Sequence, residues 1–192
     1  MIDKKAFAEM RSEIEKFDLC REQIIKKSRD VLKASKAAIY EVHRGHLDSA
    51  QAMLDSARKD IKEIEKTIEK DEHLAAVSAY SEALEEYVEA SCYYGFIKDR
   101  KLLTAKQLGV DTDVYLPGLC DLVGELVRKA INSVIKGNKE TALEIREFVA
   151  EIYEELMTFD FRNIPVRKKF DAIKYGLEKL EDLALQLKLK EK

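Results

Sequence analysis

Two stretches of this 192-residue chain carry acids with no bases among them. Between Lys70 and Lys98 there is no lysine or arginine, yet Glu82, Glu86 and Glu89 stand at i, i+4 and i+7, which is one face of a helix. Between Lys106 and Arg128 bases are again missing, and Asp121 and Glu125 stand at i, i+4. Their neighbours Tyr87, Val88, Tyr93, Tyr94, Leu119, Leu122 and Val123 are core-type residues. Like charges at this spacing repel by roughly 0.2–0.5 kcal/mol per pair on an exposed helix. Burial raises the cost to several kcal/mol unless protons or a cation intervene. A hard divalent ion such as Mg²⁺ takes oxygen ligands and keeps several of its waters. Held by such acids beside a phosphodiester, it would stabilise developing negative charge and lower the pKa of a bound water, which is the chemistry of phosphodiester hydrolysis.

The same spacing also fits a solvated face whose acids are balanced by lysines from other helices. A di-iron bundle would need Glu-x-x-His on two helices, and none of His43, His46 and His73 follows a glutamate by three residues. His73, at a helix start, reads as a surface residue. Cys92 and Cys120 lie in core-like runs with no local histidine to activate a thiol, so both read as structural. The three cysteines show no C-x-x-C spacing, which suits reduced thiols in a cytosolic protein rather than a disulfide frame or a zinc site. Tyr93 and Tyr94 suit aromatic packing better than base stacking.

A nucleic-acid substrate would need cations elsewhere. Net charge is −3, unlike a general nucleic-acid binder, so any such surface must be local. Lys26, Arg29, Lys33 and Lys36 follow helical spacing, and the face continues through Tyr40 to His43 and Arg44. This stripe suits RNA phosphates and equally a solvated helix face. Arg100 and Arg128 flank the acidic windows and are candidates to grip a phosphate near the metal, or to pair with a neighbouring acid.

The elements that must position these groups are helices. Two prolines, seven glycines and 37% charged residues exclude a turn-rich β-fold and suit long helices. No window approaches 18 apolar residues, so no membrane span is expected, and the N-terminus lacks the apolar core of a signal peptide. Periodicity predicts a first helix over 3–44, with Ile25, Leu32 and Ile39 flanked by Ile24, Val31, Ala38 and Val42 and a stop at Gly45. Asp48 would cap a second helix to about Lys70, and Asp71 would start a third to about Arg100. Thr104 would cap a short turn ending at Gly109, and Asp111 to Asp113 would be a loop or cap. A long helix follows from Val114 to Lys136, with Pro117 near its first turn. Another runs from Lys139 to Met157, a linker from Phe159 to Pro165, and a last helix from Val166 to Leu189. The expected architecture is all-α, one domain over residues 1–192, an antiparallel bundle of about six to seven helices.

Particular segments add a resemblance. Glu85-Glu86-Tyr87-Val88-Glu89-Ala90, with Phe96-Ile97-Lys98 and Arg100, resembles the E-Y-V-E-A…F-I-K-x-R segment of the TRAX branch of the translin/TRAX family. Gly118-Leu119-Cys120-Asp121-Leu122-Val123-Gly124-Glu125-Leu126 is similar to that branch's G-V-A-D-L-T-G-E-L. Ile131-Asn132-Ser133-Val134, Gly137-Asn138, Ser28-Arg29-Asp30, His43-Arg44, Lys169-Phe170-Asp171 and Leu177 extend the match over nearly the whole chain. The resemblance implies a translin-like bundle and a Mg²⁺-dependent endoribonuclease, with Mn²⁺ as a substitute ion. Glu86, Glu89 and Asp121 match the catalytic acids and metal ligands, and Glu125 matches a nearby acid that would complete the metal site. It also moves Arg29 and Arg44 toward RNA contact, beside Lys33, Lys36, Arg100 and Arg128. It implies a homo-oligomeric shell, octameric by analogy, with RNA or single-stranded DNA as partner and no membrane. The short loop from Gly109 to Tyr115, where eukaryotic TRAX has a long insertion, looks like a compact archaeal-type member. Two readings compete with the nuclease: a non-catalytic translin-like binding protein, and a helical scaffold with no nucleic-acid role.

Overall fold

The computed structural model describes residues 2–162 and 165–190. Among them are seven α-helices and one 3-10 turn, and no strand, as the composition requires. The chain separates into two compact units, Met1–Ala90 and Ser91–Lys192.

The first unit is built on α1 (Lys4–Arg44) and α2 (Leu47–Ile68). Asp3 caps α1 by accepting from the backbone N–H groups of Lys5 and Ala6. Gly45 ends it in the left-handed region at φ 84°, where glycine carries no Cβ penalty. The N–H of His46 then reaches back to the Glu41 carbonyl at 2.9 Å, leaving a turn so tight that α2 starts at Leu47. Asp48 therefore sits inside the first turn of α2 rather than capping it.

The buried seam of α1 is Ile24, Ser28, Val31, Ser35, Ala38 and Val42, alternating steps of four and three. It meets Ala50, Leu54, Ala57, Ile61 and Ile64 of α2. Of the heptad expected from Ile25, Leu32 and Ile39, Ile39 is buried, while the seam itself runs one residue earlier. Ile25 and Leu32 are only half-buried, because the small Ser28, Ser35 and Ala38 let α2 approach along the neighbouring stripe. Lys27 joins the two helices through Asp60 at 3.2 Å and Glu63 at 2.5 Å.

Asp71 does not start the third long helix. It accepts from the His73 N–H and caps a 3-10 turn, Glu72–Ala76, whose Leu74 is buried. Val77 is extended, and α3 begins afresh as Ser78–Asp99.

The second unit is a three-helix bundle of α5 (Thr112–Ile135), α6 (Lys139–Met157) and α7 (Val166–Leu189), each packed on the other two. Its core is Leu119, Leu122, Val123 and Leu126 from α5, Ile145, Val149 and Ile152 from α6, and Phe170, Ile173 and Leu180 from α7. Short α4 (Ala105–Leu108) carries a complete capping box between Thr104 and Gln107. Gly95 of α3 lets residues 101–103 return across it, since a Cβ there would lie 3.1 Å from the Lys101 carbonyl. In the linker expected over 159–165, Phe161 is buried against Phe170, with ring centroids 5.2 Å apart. Positions 163 and 164 of that linker lie outside the described residues.

Candidate nucleic-acid and metal site

In the first unit α3 buries Ala83, Leu84, Tyr87 and Val88 and leaves Glu85, Glu86 and Glu89 half-buried. Glu82 is exposed. The Glu86 carboxylate lies 3.7 Å from the ammonium of Lys36 on α1. Lys36, part of the basic stripe, is thus drawn to an acid. Arg29, Lys33 and Arg44 are exposed along the same face. Arg44 lies over the Tyr40 ring, 5.5 Å from its centroid, and Tyr40 is itself exposed.

In the second unit Asp121 and Glu125 emerge from α5 between buried Leu122, Val123 and Leu126. The Asp121 carboxylate is 2.5 Å from Lys169 Nζ of α7, and Glu125 is 3.6 Å from Arg128 one turn on. Tyr93 is fully buried, and burial first, then the Glu125 charge, push its phenol up. Burial likewise pushes the Cys92 and Cys120 thiols up to about 12, so neither is a nucleophile near neutrality. Cys92 donates to the Leu103 carbonyl at 3.6 Å, a packing role.

Arg100 is placed for structure. It holds the left-handed φ of 55° at the end of α3. Its guanidinium donates to the Phe96 and Ile97 carbonyls, both at 3.2 Å, and to Glu144 at 3.1 Å. Those bonds satisfy the last carbonyls of the helix.

The sequence reading placed α7 correctly but assigned it no site residue. Asp121 opens onto a cleft of about 560 Å³ between α5 and α7. Its floor is Val123, Val127, Ile173 and Gly176, and its α7 rim carries Lys168, Lys169, Lys179 and Tyr175. Three lysines and one aspartate line it, and of the lysines Lys169 pairs with Asp121. Gly176 makes the approach possible, because a Cβ would lie 3.1 Å from Val123 and 3.3 Å from Val127. Gly124 faces open space. Tyr175 is 57% exposed and Lys174 lies over its ring. Lys168, Tyr175 and Lys179 follow helical spacing, so their common face was legible in the sequence. That it lies beside Asp121 was not.

Within neither unit do three or more His, Cys, Asp or Glu side chains among the described residues gather as a ready-made metal cage. The donors nevertheless suit Mg²⁺, which binds through one or two carboxylates and retains its waters. Asp121 with Glu125, and Glu86 with Glu89, each supply such a pair on one helix. The cations now beside them are partly exposed: the side chain of Lys36 is 61% exposed and that of Lys169 35%. Ion pairs this accessible contribute about 0–1 kcal/mol and exchange readily for another cation.

Known proteins resemble this chain over most of its length. A model described as the Translin family matches residues 19–191. Translin-associated protein X of Mus musculus is 28% identical over 211 residues, covering 88% of this chain and 72% of that protein. An uncharacterised protein of Methanocaldococcus jannaschii is 30% identical over 169 residues, covering 84% of this chain and 73% of its own. The solved complex of AfC3PO with duplex RNA superposes with a TM-score of 0.86 at 26% identity, covering 96% of this chain and 97% of that one.

Proposed function

We propose, proceeding from the fact that this chain belongs to the Translin family, that it binds RNA and cleaves it with the help of Mg²⁺. The observation that carries the reading is the α5–α7 cleft, where an acid of the TRAX-like motif, Asp121, stands among Lys168, Lys169 and Lys179 over an apolar floor. That combination fits a nucleotide. Lysines neutralise phosphates, while Tyr175 and the floor take a base by stacking and apolar contact. The likeness to a C3PO solved with duplex RNA supports RNA as the ligand. The likeness to Translin-associated protein X supports the TRAX-like branch.

Glu86, Glu89, Asp121 and Glu125 are the proposed metal ligands. A bound Mg²⁺ would supply charge neutralisation and an acidic water. Lys168 and Lys179 would hold the backbone, and Lys169 would leave Asp121 for a phosphate oxygen as substrate enters. Arg29, Lys33 and Arg44, with exposed Tyr40, form a second proposed contact face on α1. Arg128, beside Glu125, would grip a phosphate oxygen near the metal. The working form is proposed to be a homo-oligomer, octameric by analogy, in the cytoplasm.

A second reading has a specific observation in its favour. Asp121, Glu86 and Glu125 each lie beside a cation of this chain, as in a protein that binds RNA or single-stranded DNA without cutting it. One experiment separates the two. A labelled RNA is incubated with the purified chain in Mg²⁺, Mn²⁺ or EDTA, alongside Glu89→Ala. The nuclease reading expects cleavage in either ion, none in EDTA, and a loss of at least a hundredfold in Glu89→Ala with RNA binding retained. Binding without cleavage under every divalent ion would establish the translin-like binding protein instead, and no binding at all the scaffold.

A further inference from the structure

The windows without bases have a counterpart at the far end of α5. The two longest stretches of the chain without an acid are 126–139, with Arg128, Lys129, Lys136 and Lys139, and 100–110, with Arg100, Lys101 and Lys106. The second unit folds them together. Lys129 is half-buried on α5, among buried Leu126, Ala130 and Ser133. Burial first, and then the charges of Lys136 and Arg100, hold its ammonium below the ordinary lysine value. Lys136, at i+7 on the same face, is the C-cap of α5. Among the described residues neither lysine forms a hydrogen bond or ion pair through its ammonium. Glu144 of α6 is already engaged, accepting from Arg100 at 3.1 Å. Past Lys136 the α5–α6 turn opens a hollow of about 530 Å³, lined also by Gly137, Asn138, Lys139, Glu140 and Leu143. A half-buried cation beside two others is costly, and a bound anion offsets that cost.

We propose that Lys129 and Lys136, in the field of Arg100, form a binding site for a chain of two or more phosphates. Ammonium groups are point charges that meet phosphate oxygens from any direction. Seven residues separate the two lysines, about 10.5 Å along the helix axis at 1.5 Å per residue. A single phosphate meets both only if both stems bend toward it, whereas linked phosphates follow the face and run on into the hollow at Lys139. Arg100 supplies charge rather than contact, since its N–H groups are given to Glu144 and to the Phe96 and Ile97 carbonyls. None of these residues lines the α5–α7 cleft, so the site does not depend on what the cleft does. Its phosphates come either from a free oligophosphate or from the backbone of an RNA strand.

The test reads the two lysines directly. The full-length chain, stripped of divalent ions so that no RNA is cut, is acylated with a small lysine reagent, and the modified peptides are quantified by mass spectrometry. Saturating tripolyphosphate should slow labelling of Lys129 and Lys136 by about fivefold or more, while exposed Lys66 and Lys188 change by less than about twofold. Orthophosphate at the same concentration should protect far less. Lys129→Gln should remove the protection of Lys136. Lys136→Gln, at an exposed position, gives the reverse reading on Lys129. A short single-stranded oligoribonucleotide is the second arm. Protection by tripolyphosphate alone identifies a free oligophosphate as the source, and protection by the RNA, with it or instead of it, identifies the strand. Equal slowing of all four lysines, or no slowing of Lys129 and Lys136 by either anion, overturns the site. Orthophosphate that protects as well as tripolyphosphate, or protection of Lys136 that survives Lys129→Gln, overturns it too.

Discussion

Lys169 is where the chemistry of a single residue bears most on function. Its ammonium sits 2.5 Å from Asp121, where a divalent ion would compete for the same oxygens. Replacing it with glutamine removes that competitor and one phosphate-binding cation together. Lys169→Gln should therefore need severalfold less Mn²⁺ to saturate, read by the paramagnetic signal of free Mn²⁺, while RNA affinity by fluorescence anisotropy falls about three- to tenfold. Unchanged Mn²⁺ binding would mean that Asp121 is not a ligand. The thiols give a pH prediction. Burial holds Cys92 and Cys120 up at about 12, from an ordinary value near 9. The folded chain then carries more protons than the unfolded one between those values, so stability falls as pH rises through that window. At about pH 8 a thiol reagent should modify half-buried Cys20 first and reach the other two only on unfolding. A midpoint of denaturation that does not drop between about pH 9 and 11 would contradict this.

Two glycines at the scale of the helix pair test how α5 and α7 make the cleft. Gly124 faces open space in mid-helix, so Gly124→Ala should raise stability by about 0.5–1 kcal/mol through helix propensity alone. Gly176 is the opposite case, with Val123 and Val127 against the place of its Cβ. Gly176→Val should cost about 1–3 kcal/mol, because two packed helices must part. It should also weaken RNA binding, by widening the cleft. Equal melting temperatures for the two variants would show that the close approach is unimportant. α1 carries a related signature: the Ser28 and Ser35 hydroxyls are buried without a hydrogen-bond partner among the described residues. The Ser28→Ala and Ser35→Ala changes should be neutral or stabilising by up to about 1 kcal/mol each, measured by denaturant unfolding. These serines keep the seam narrow where α2 crosses it.

Net charge works against RNA binding for the whole molecule, since −3 repels a polyanion at long range. Affinity must then come from a few local cations, and its salt dependence should be shallow for a nucleic-acid protein. With single-stranded RNA, each phosphate contact contributes about 0.7 to the slope of log affinity against log salt. Replacing Lys168 and Lys179 by glutamine should therefore flatten that slope by roughly 1.4. The same change made in Lys33 and Arg44 measures the α1 face separately. If the α7 pair leaves the slope untouched and the α1 pair flattens it, RNA lies on α1 and the cleft reading falls.

The helices, most of their ends and the candidate acids were legible from residue types, because periodicity, caps and charge-free windows are local properties of a chain, although Asp48 and Asp71 do not start the helices expected of them. Gly45, Thr104 and Gly109 act where the sequence places a stop or a cap. The heptad was read one residue off, since choosing between adjacent apolar stripes depends on which one the neighbouring helix covers. Arg128 beside Glu125 was legible at i, i+3, but what surrounds Glu86 and Asp121 was not. Lys36 reaches Glu86 across 50 residues and Lys169 reaches Asp121 across 48, and a window free of local bases says nothing about bases delivered by another helix. The cleft on α7 has the same origin: Lys168, Tyr175 and Lys179 share a face by sequence, but only the close packing at Gly176 sets that face beside Asp121. Spacing along one helix determines which side chains travel together, and tertiary packing determines what they meet.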